Sequence, residues 1–144
     1  MTAATLTPKI VGQAEKHHTE VLARALSGTT VDEKQWIPLN QAMAAGGPVD
    51  RAGHAARVAA MTRWPVTAVD AALAALIDGG LARELPGGRV EVTDAGRALA
   101  ARVRTESGRV VDRAYGAVSP EDLATAARVL TAITARMAAE LAEG

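Results

Sequence analysis

The chain has 144 residues, a formal net charge of zero and no cysteine. This length suffices for one domain with its own core, and the lack of cysteine excludes disulfides and thiolate metal sites. No apolar run approaches the ~20 residues that a transmembrane helix needs. Because the first ten residues lack the apolar core of a secretory signal, we expect a cytoplasmic protein.

Roughly a quarter of the residues are alanine, and the only aromatic residues are two Trp and one Tyr. This composition favours helix and a core of Leu, Val, Ile, Ala and Met. Since small side chains bury little area, such a chain often needs a partner subunit to complete its burial. Residues 51–97 carry six Arg against five acidic residues, so no segment shows the strong basic excess that favours DNA.

Two helices are predicted at the amino-terminal end. The first covers residues 7–26, with Pro8 at its first position and Ser27-Gly28 ending it. The second begins at Asp32, which has the spacing of a capping box with Gln35, and reaches residue 45. Pro38 is expected to kink or loosen its first turns.

The segment from residue 51 to residue 78 predicts two helices joined by a tight turn. The first covers residues 51–61, residues 62–64 form the turn, and Pro65 opens the second helix, which ends at Asp78. The second helix has a predicted inward stripe of five apolar residues. These are Val66, Val69, Leu73, Leu76 and Ile77.

A hairpin and two long helices complete the chain. Residues 81–85 and 89–92 predict two strands joined by Pro86-Gly87-Gly88. Thr93 caps a helix that extends towards residue 117, and Ser119 starts the last helix. In the last helix, apolar residues repeat every seven positions, which indicates a seam for a partner helix. They are Leu123, Leu130 and Met137, and also Ala126 and Ile133.

The order helix, turn, helix, hairpin, helix is that of a winged helix-turn-helix. Four segments strengthen this interpretation: the helix start at residues 32–39, the short helix at 56–61, the helix exit LIDGGLAR at 76–83, and VTDAGR at 92–97. On these motifs the chain resembles the MarR-type bacterial transcriptional regulators along nearly its whole length.

The resemblance implies a mainly α fold with a small β-hairpin wing in a single domain, residues 1–144. Residues 31–97 would form the winged helix-turn-helix core, and residues 1–28 and 98–144 the long dimerisation helices. Such proteins form homodimers that bind one operator half-site per protomer. Many bind a small effector, often an aromatic acid, between the dimer helices and the DNA-binding lobe, which shifts the dimer between two states.

On double-stranded DNA, the expected contacts come from Arg63, Thr67 and Arg89. The recognition helix of the motif is the predicted helix that Pro65 opens and that ends at Asp78. It otherwise departs from the family, because the face opposite its apolar stripe lacks the Arg, Lys, Asn and Gln that read base edges. That face carries Thr67, Ala71, Ala74 and Asp78, flanked by Ala68, Asp70 and Ala75. The acidic residues Asp70 and Asp78 would repel phosphates. The wing also lacks the family's aspartate-x-arginine, which leaves Arg89 as its DNA-contacting arginine.

The candidate ligand-binding residues are His17, His18 and Trp36. Two adjacent histidines in a helix diverge by ~100°, so they make a poor chelating pair. They are either interface or core histidines, or one of them lines a pocket and meets an acidic ligand or acts as a proton shuttle. Metal or haem ligation is the least favoured of these alternatives. Trp36 is a pocket wall by resemblance, although a lone large aromatic is more often core. His54 joins such a site only if the fold brings it close.

Five arginines crowd the first long carboxy-terminal helix, and one that pointed inward could hold a carboxylate through two hydrogen bonds. They are Arg97, Arg102, Arg104, Arg109 and Arg113.

The sequence thus favours a ligand-responsive, homodimeric transcriptional regulator. Two alternatives stay open: a winged-helix dimer that binds or transforms a small molecule and no longer binds DNA, and a pure protein-interaction module. The chain has no Ser-His-Asp order, glycine-rich phosphate loop or HExxH motif. We therefore expect no catalytic residue, metal or cofactor.

Overall fold

The structure is a computed structural model that describes residues 4–144. In this part of the chain it has six helices and one three-stranded antiparallel sheet, so the predicted mainly α fold with a small β-hairpin wing is confirmed. The helices are α1 (Pro8–Leu26), α2 (Glu33–Ala45), α3 (Arg51–Thr62), α4 (Val66–Asp78), α5 (Asp94–Gly116) and α6 (Pro120–Glu143). The strands are β1 (Val49–Asp50), β2 (Ala82–Leu85) and β3 (Arg89–Val92).

Side-chain caps fix where several helices begin. The Thr7 hydroxyl accepts a hydrogen bond from the Ile10 amide at the start of α1. At α2, the Asp32 carboxylate accepts from the Gln35 amide at 2.9 Å, and the Gln35 side chain accepts from the Asp32 amide at 3.3 Å. At the start of α6, the Ser119 hydroxyl accepts from the Asp122 amide at 3.1 Å. These local bonds satisfy amides that the first turn leaves without partners.

Helix α2 continues through Pro38, which is buried. The Pro38 carbonyl oxygen lies 2.9 Å from Nε2 of His54, a buried residue of α3 that is only 3% exposed. Because a carbonyl oxygen can only accept, Nε2 carries the proton. His54 therefore joins α3 to α2.

The sheet has the strand order β1-β3-β2, with β3 in the centre. Val49 pairs with Val90 on one side of β3, and Ala82 pairs with Val92 on the other. The sequence predicted the hairpin and missed β1. A strand of two residues shows no alternation, so its pairing depends on β3, forty residues later along the chain.

The core combines α2, α3, α4, α5, the sheet and the end of α1, where Ala25 and Leu26 are buried. Leu39, Val58, Val69, Leu73, Leu76 and Val103 are fully buried. Val66 was expected to face inward and is 49% exposed, whereas Ala72 is buried. Val66 is the first residue of α4, so no preceding helical turn covers it.

A tightly packed junction joins β3 to α5. The Thr93 hydroxyl donates to the Gly80 carbonyl at 2.7 Å and accepts from the Gly96 amide at 3.1 Å. Gly96 is buried against the sheet, and a Cβ there would overlap the Leu81 carbonyl oxygen and approach Cγ1 of Val92 to 2.7 Å. These contacts explain why the segment VTDAGR contains a threonine and a glycine three residues apart.

The chain divides into two compact units, one up to Gly108 and one from Arg109 to Gly144. The core belongs to the first unit. The second contains the end of α5 and all of α6, of which no residue is buried. No helix of the described residues is long and apolar enough to cross a membrane.

Candidate nucleic-acid interface

The turn between α3 and α4 places Arg63 in the left-handed backbone conformation, with φ 65° and ψ 16°. Among the described residues, Arg63 is the one non-glycine residue with a positive φ. Its amide donates to the Ala59 carbonyl at 2.8 Å and ends α3. Thr62 secures the turn, because its hydroxyl accepts from the Trp64 amide at 3.3 Å and donates to the Val58 carbonyl within α3. Left-handed geometry at a residue with a Cβ is strained and often marks a functional position.

The Arg63 side chain is exposed, and no ion pair or hydrogen bond engages its guanidinium within residues 4–144. It therefore offers a free cation directly before α4. Four residues later, Thr67 lies exposed in the first turn of that helix.

A salt-bridge network on the same unit involves Arg51, which the sequence analysis did not single out. Its Nε lies 3.0 Å from Oδ1 of Asp70 on α4, and its Nη1 lies 2.8 Å from Oε1 of Glu84 on β2. One guanidinium thus neutralises a carboxylate on the helix and another on the hairpin. Asp70, which was expected to repel phosphates, is paired.

No local sequence signal could have revealed this network. The partners of Arg51 lie 19 and 33 residues further along the chain. Helical spacing indicates only pairs three or four residues apart.

We expect Arg51→Ala to weaken DNA binding at least tenfold and to change the free energy of unfolding by less than about 1 kcal/mol. The ion pairs are partly exposed and contribute little stability, but their loss leaves two unpaired carboxylates on the predicted DNA-binding surface. Fluorescence anisotropy and thermal unfolding measure the two effects.

Two further variants make that test specific. The triple variant Arg51→Ala, Asp70→Asn, Glu84→Gln should recover most of the lost affinity, because it also removes both carboxylates. Arg24→Ala removes a paired arginine from α1 and is the control for net charge. An equal loss of affinity in Arg24→Ala would contradict the role of the network.

The tip of the hairpin is the loop Pro86-Gly87-Gly88. Gly87 and Gly88 both have positive φ, 82° and 73°, which glycine adopts without strain. The Gly88 carbonyl accepts from the Arg51 amide at 2.9 Å, which ties the tip to the start of α3. The next residue, Arg89, is exposed, and no ion pair within residues 4–144 engages it, whereas Arg83 on β2 pairs with Glu91.

The exposed face of α4 contains no Arg, Lys, Asn or Gln. Its exposed residues are Val66, Thr67, Asp70, Ala71 and Asp78. With Asp70 engaged by Arg51, the first turns of α4 present one hydroxyl and otherwise aliphatic groups.

The candidate ligand residues lie in different environments. His17 and His18 are exposed on α1, and their Nδ1 atoms lie 2.6 Å and 2.7 Å from the carbonyl oxygens of Gln13 and Ala14. Trp36 is 6% exposed and belongs to the core.

Three shallow cavities of about 150, 270 and 330 Å³ lie in the first unit, and none of these three is lined by His17, His18 or Trp36. His54 borders the largest of them, together with Gln41 and Arg57. The ligand-binding role of His17, His18 and Trp36 stays a prediction.

Two of the arginines on α5 make interactions within the first unit. Arg104 donates to the Asn40 side chain on α2, with Nε at 2.9 Å. Arg97 donates to the carboxylate of Asp94 and to the Val92 carbonyl. The hydrogen bond from Arg97 and its positive charge lower the pKa of Asp94.

The fold is that of the MarR-type winged helix. MarR from E. coli, in its reduced form, has a TM-score of 0.68 at 15% identity, covering 91% of this chain and 95% of its own. The ligand-free organohalide-sensing regulator RdhR-CbdbA1625 has a TM-score of 0.73 at 15% identity, and the match covers 92% of this chain and 82% of the regulator. A probable transcriptional regulator from Pseudomonas aeruginosa has a TM-score of 0.64 at 18% identity, and the match covers 86% of this chain and 93% of that regulator.

Similar structures also include a MarR mutant from E. coli complexed with operator DNA and RdhR-CbdbA1625 bound to 2,4-dichlorophenol. No protein-family model matches the chain, and no curated protein matches it by sequence. At these identities the likeness concerns the fold, and the predicted resemblance is confirmed at that level.

Proposed function

We propose that this chain is a ligand-responsive, DNA-binding transcriptional regulator that acts as a homodimer in the cytoplasm. The observation that carries the proposal is the arrangement of charge around α4. Arg63 at the start of α4 and Arg89 at the hairpin are exposed cations without ion pairs in residues 4–144, while Arg51 neutralises the nearby Asp70 and Glu84. A surface of this kind suits phosphate contacts on both sides of α4 when that helix lies in the major groove of DNA.

The similar structures add two supporting facts. A MarR mutant binds operator DNA and RdhR-CbdbA1625 binds 2,4-dichlorophenol, each with the fold found here. We infer that this chain contacts DNA through Arg63, Thr67 and Arg89. We further propose a small-molecule effector, such as an aromatic acid, that binds near His17, His18 and Trp36.

The first experiment titrates the protein into a labelled duplex from upstream of its own gene and into a mixed-sequence duplex. With two phosphate-binding arginines per protomer, a dimer has about four contacts, so log Kobs should fall with log[salt] at a slope of about −3.6. Tight binding to the upstream duplex with a slope near this value supports a regulator with few phosphate contacts. Absence of binding at low salt would contradict the proposal.

The homodimer is proposed from the exposed apolar side chains of α6. No residue of this 24-residue helix is buried, yet it carries five exposed large apolar side chains. They are Val129, Leu130, Ile133, Met137 and Leu141. An amphipathic helix that buries none of its apolar stripe needs another surface to cover it. A second copy of the same helix fits the seven-residue repeat.

We expect Ile133→Glu to convert the dimer into monomers of 14.8 kDa and to abolish DNA binding at submicromolar concentration. A charge placed in an apolar interface is strongly unfavourable, and a monomer loses the second half-site. Light scattering and anisotropy measure the two effects. Ala135→Glu, ~160° away around α6, is the control and should leave both unchanged. A dimeric Ile133→Glu variant would place the interface elsewhere.

The exposed face of α4 also favours a second function, because its first turns offer few groups that read bases. In this alternative, the chain is a winged-helix dimer that binds or transforms a small molecule and no longer binds DNA. Thermal unfolding with 2,4-dichlorophenol and with benzoate tests for a ligand, since a bound ligand must stabilise the fold, and the duplex titration then distinguishes the two functions. A stabilised protein that binds neither duplex would support this alternative.

A further inference from the structure

The first turns of α4 present an unusual set of groups to a DNA groove. Val66 is 49% exposed at the first position of the helix. Thr67 and Ala71 are exposed one turn apart on the adjoining strip of surface. Val66, Thr67 and Ala71 together offer one hydroxyl, that of Thr67, and otherwise methyl groups.

Asp70 is the remaining side chain of this surface, and its carboxylate could otherwise accept a hydrogen bond from cytosine N4. Oδ1 of Asp70 instead lies 3.0 Å from Nε of Arg51. Asp78 is the last residue of the 13-residue helix, roughly 18 Å from Val66 along the helix axis. Recognition helices contact bases mainly with their amino-terminal residues, so Asp78 lies too far along α4 to read a base, while Asp70 is engaged by Arg51.

The chemistry of the major groove then leaves one feature for the aliphatic groups of α4 to recognise. Guanine is read by Arg or Lys, and adenine by Asn or Gln, and all four residue types are absent from the exposed face of α4. Thymine presents its C5 methyl group, which packs against aliphatic side chains.

We propose that α4 reads thymine C5 methyl groups through Val66, Thr67 and Ala71, so that its operator half-sites have thymine at the positions these residues reach. This inference rests on the proposed function as a DNA-binding regulator. Arg63 and Arg89 hold the helix on the phosphates, and the aliphatic groups supply the sequence preference.

The test begins by selecting duplexes that bind the full-length protein from a random-sequence library. In a selected duplex, each thymine of a half-site is then replaced by deoxyuridine, which lacks only the C5 methyl group. We expect a loss of affinity of about fourfold for each methyl group that is read, the effect of one buried methyl. Anisotropy at fixed salt measures it.

Side-chain variants assign the contacts. Val66→Ala should bring the ratio of affinities for the thymine and deoxyuridine duplexes close to one at a single position of the half-site. Thr67→Ser keeps the hydroxyl and removes the methyl group, whereas Thr67→Val does the reverse. At the base that Thr67 reaches, the ratio of affinities for the thymine and deoxyuridine duplexes should fall in the serine variant. The same ratio should stay unchanged in the valine variant.

Two negative results have different meanings. If no duplex is bound even at low salt, the proposed function itself fails. If duplexes are bound but every deoxyuridine substitution is neutral, the regulator stands and methyl recognition is overturned. Conservation of the ratio in both Val66→Ala and Thr67→Ser would likewise overturn it.

Discussion

Gly96→Ala is expected to destabilise the protein by about 3 kcal/mol or more, which corresponds to roughly a 10 °C lower melting temperature or loss of folding. The new Cβ would overlap the Leu81 carbonyl oxygen, a backbone atom, and would lie 2.7 Å from Cγ1 of Val92. A flexible side chain could move aside, but the Leu81 carbonyl also accepts a hydrogen bond from the Thr93 amide at 3.1 Å. Relief therefore requires α5 to shift away from the sheet.

The matched control lies in the same helix. A Cβ at Gly108 meets no atom within 4 Å. Gly108→Ala should therefore raise the free energy of unfolding by about 0.5–1 kcal/mol, the usual gain from glycine to alanine inside a helix. Thermal and urea unfolding of both variants, with light scattering to hold the oligomeric state fixed, checks the pair. Equal stability of the two variants would show that the junction is looser than its contacts imply.

Arg63→Gly is expected to weaken DNA binding about 10- to 100-fold while making the protein more stable. The variant removes two cations per dimer, and such a loss of affinity corresponds to about 1.4–2.7 kcal/mol for the two contacts together. At the same time, glycine adopts the left-handed conformation without strain, which should raise the free energy of unfolding by about 1 kcal/mol. A gain in stability with a loss of binding cannot be explained by misfolding.

Two companion variants separate charge from backbone conformation. Arg63→Ala keeps the strained backbone, so we expect it to lose DNA binding to the same extent without the gain in stability. Arg63→Lys keeps the charge and should retain most of the affinity. In Arg63→Gly and Arg63→Ala, the salt slope should become less steep by about 1.8, since two phosphate contacts are lost. An unchanged slope would place Arg63 away from the phosphates.

Local signals predicted most of the helices correctly. Asp32 and Gln35 cap α2 three residues apart, and Ser119 stands directly before α6, so these starts can be identified from short segments. The same holds for Pro86-Gly87-Gly88, whose composition already indicates a turn. In each case the interacting groups are neighbours in the sequence.

Long-range features could not be predicted in this way. Arg51 reaches partners on two other elements, and β1 is a strand only because β3 lies beside it. Val66 shows a further limit, because periodicity identifies the apolar stripe of α4 but not the point at which the core stops covering it. The interpretation that the charge of Asp70 opposes DNA was incomplete for the same reason.

For the candidate site, the sequence indicated which residues lie at the surface of the motif but not the surroundings of the two histidines. Arg63, Thr67 and Arg89 were selected from their positions in the motif, and the structure places all three at the surface. For His17 and His18, the sequence defines a shared helix but gives no information on what faces it.

The central position of β3 affects how the hairpin adapts to a duplex. Since β3 is paired on both sides and the Arg51 amide bonds to the Gly88 carbonyl, the hairpin cannot swing independently of α3. Its amide protons should exchange with solvent through cooperative opening of the unit rather than through local fraying. We therefore expect the proposed regulator to tolerate little variation in minor-groove width, so that the stiffness of the DNA between the half-sites becomes part of what it distinguishes.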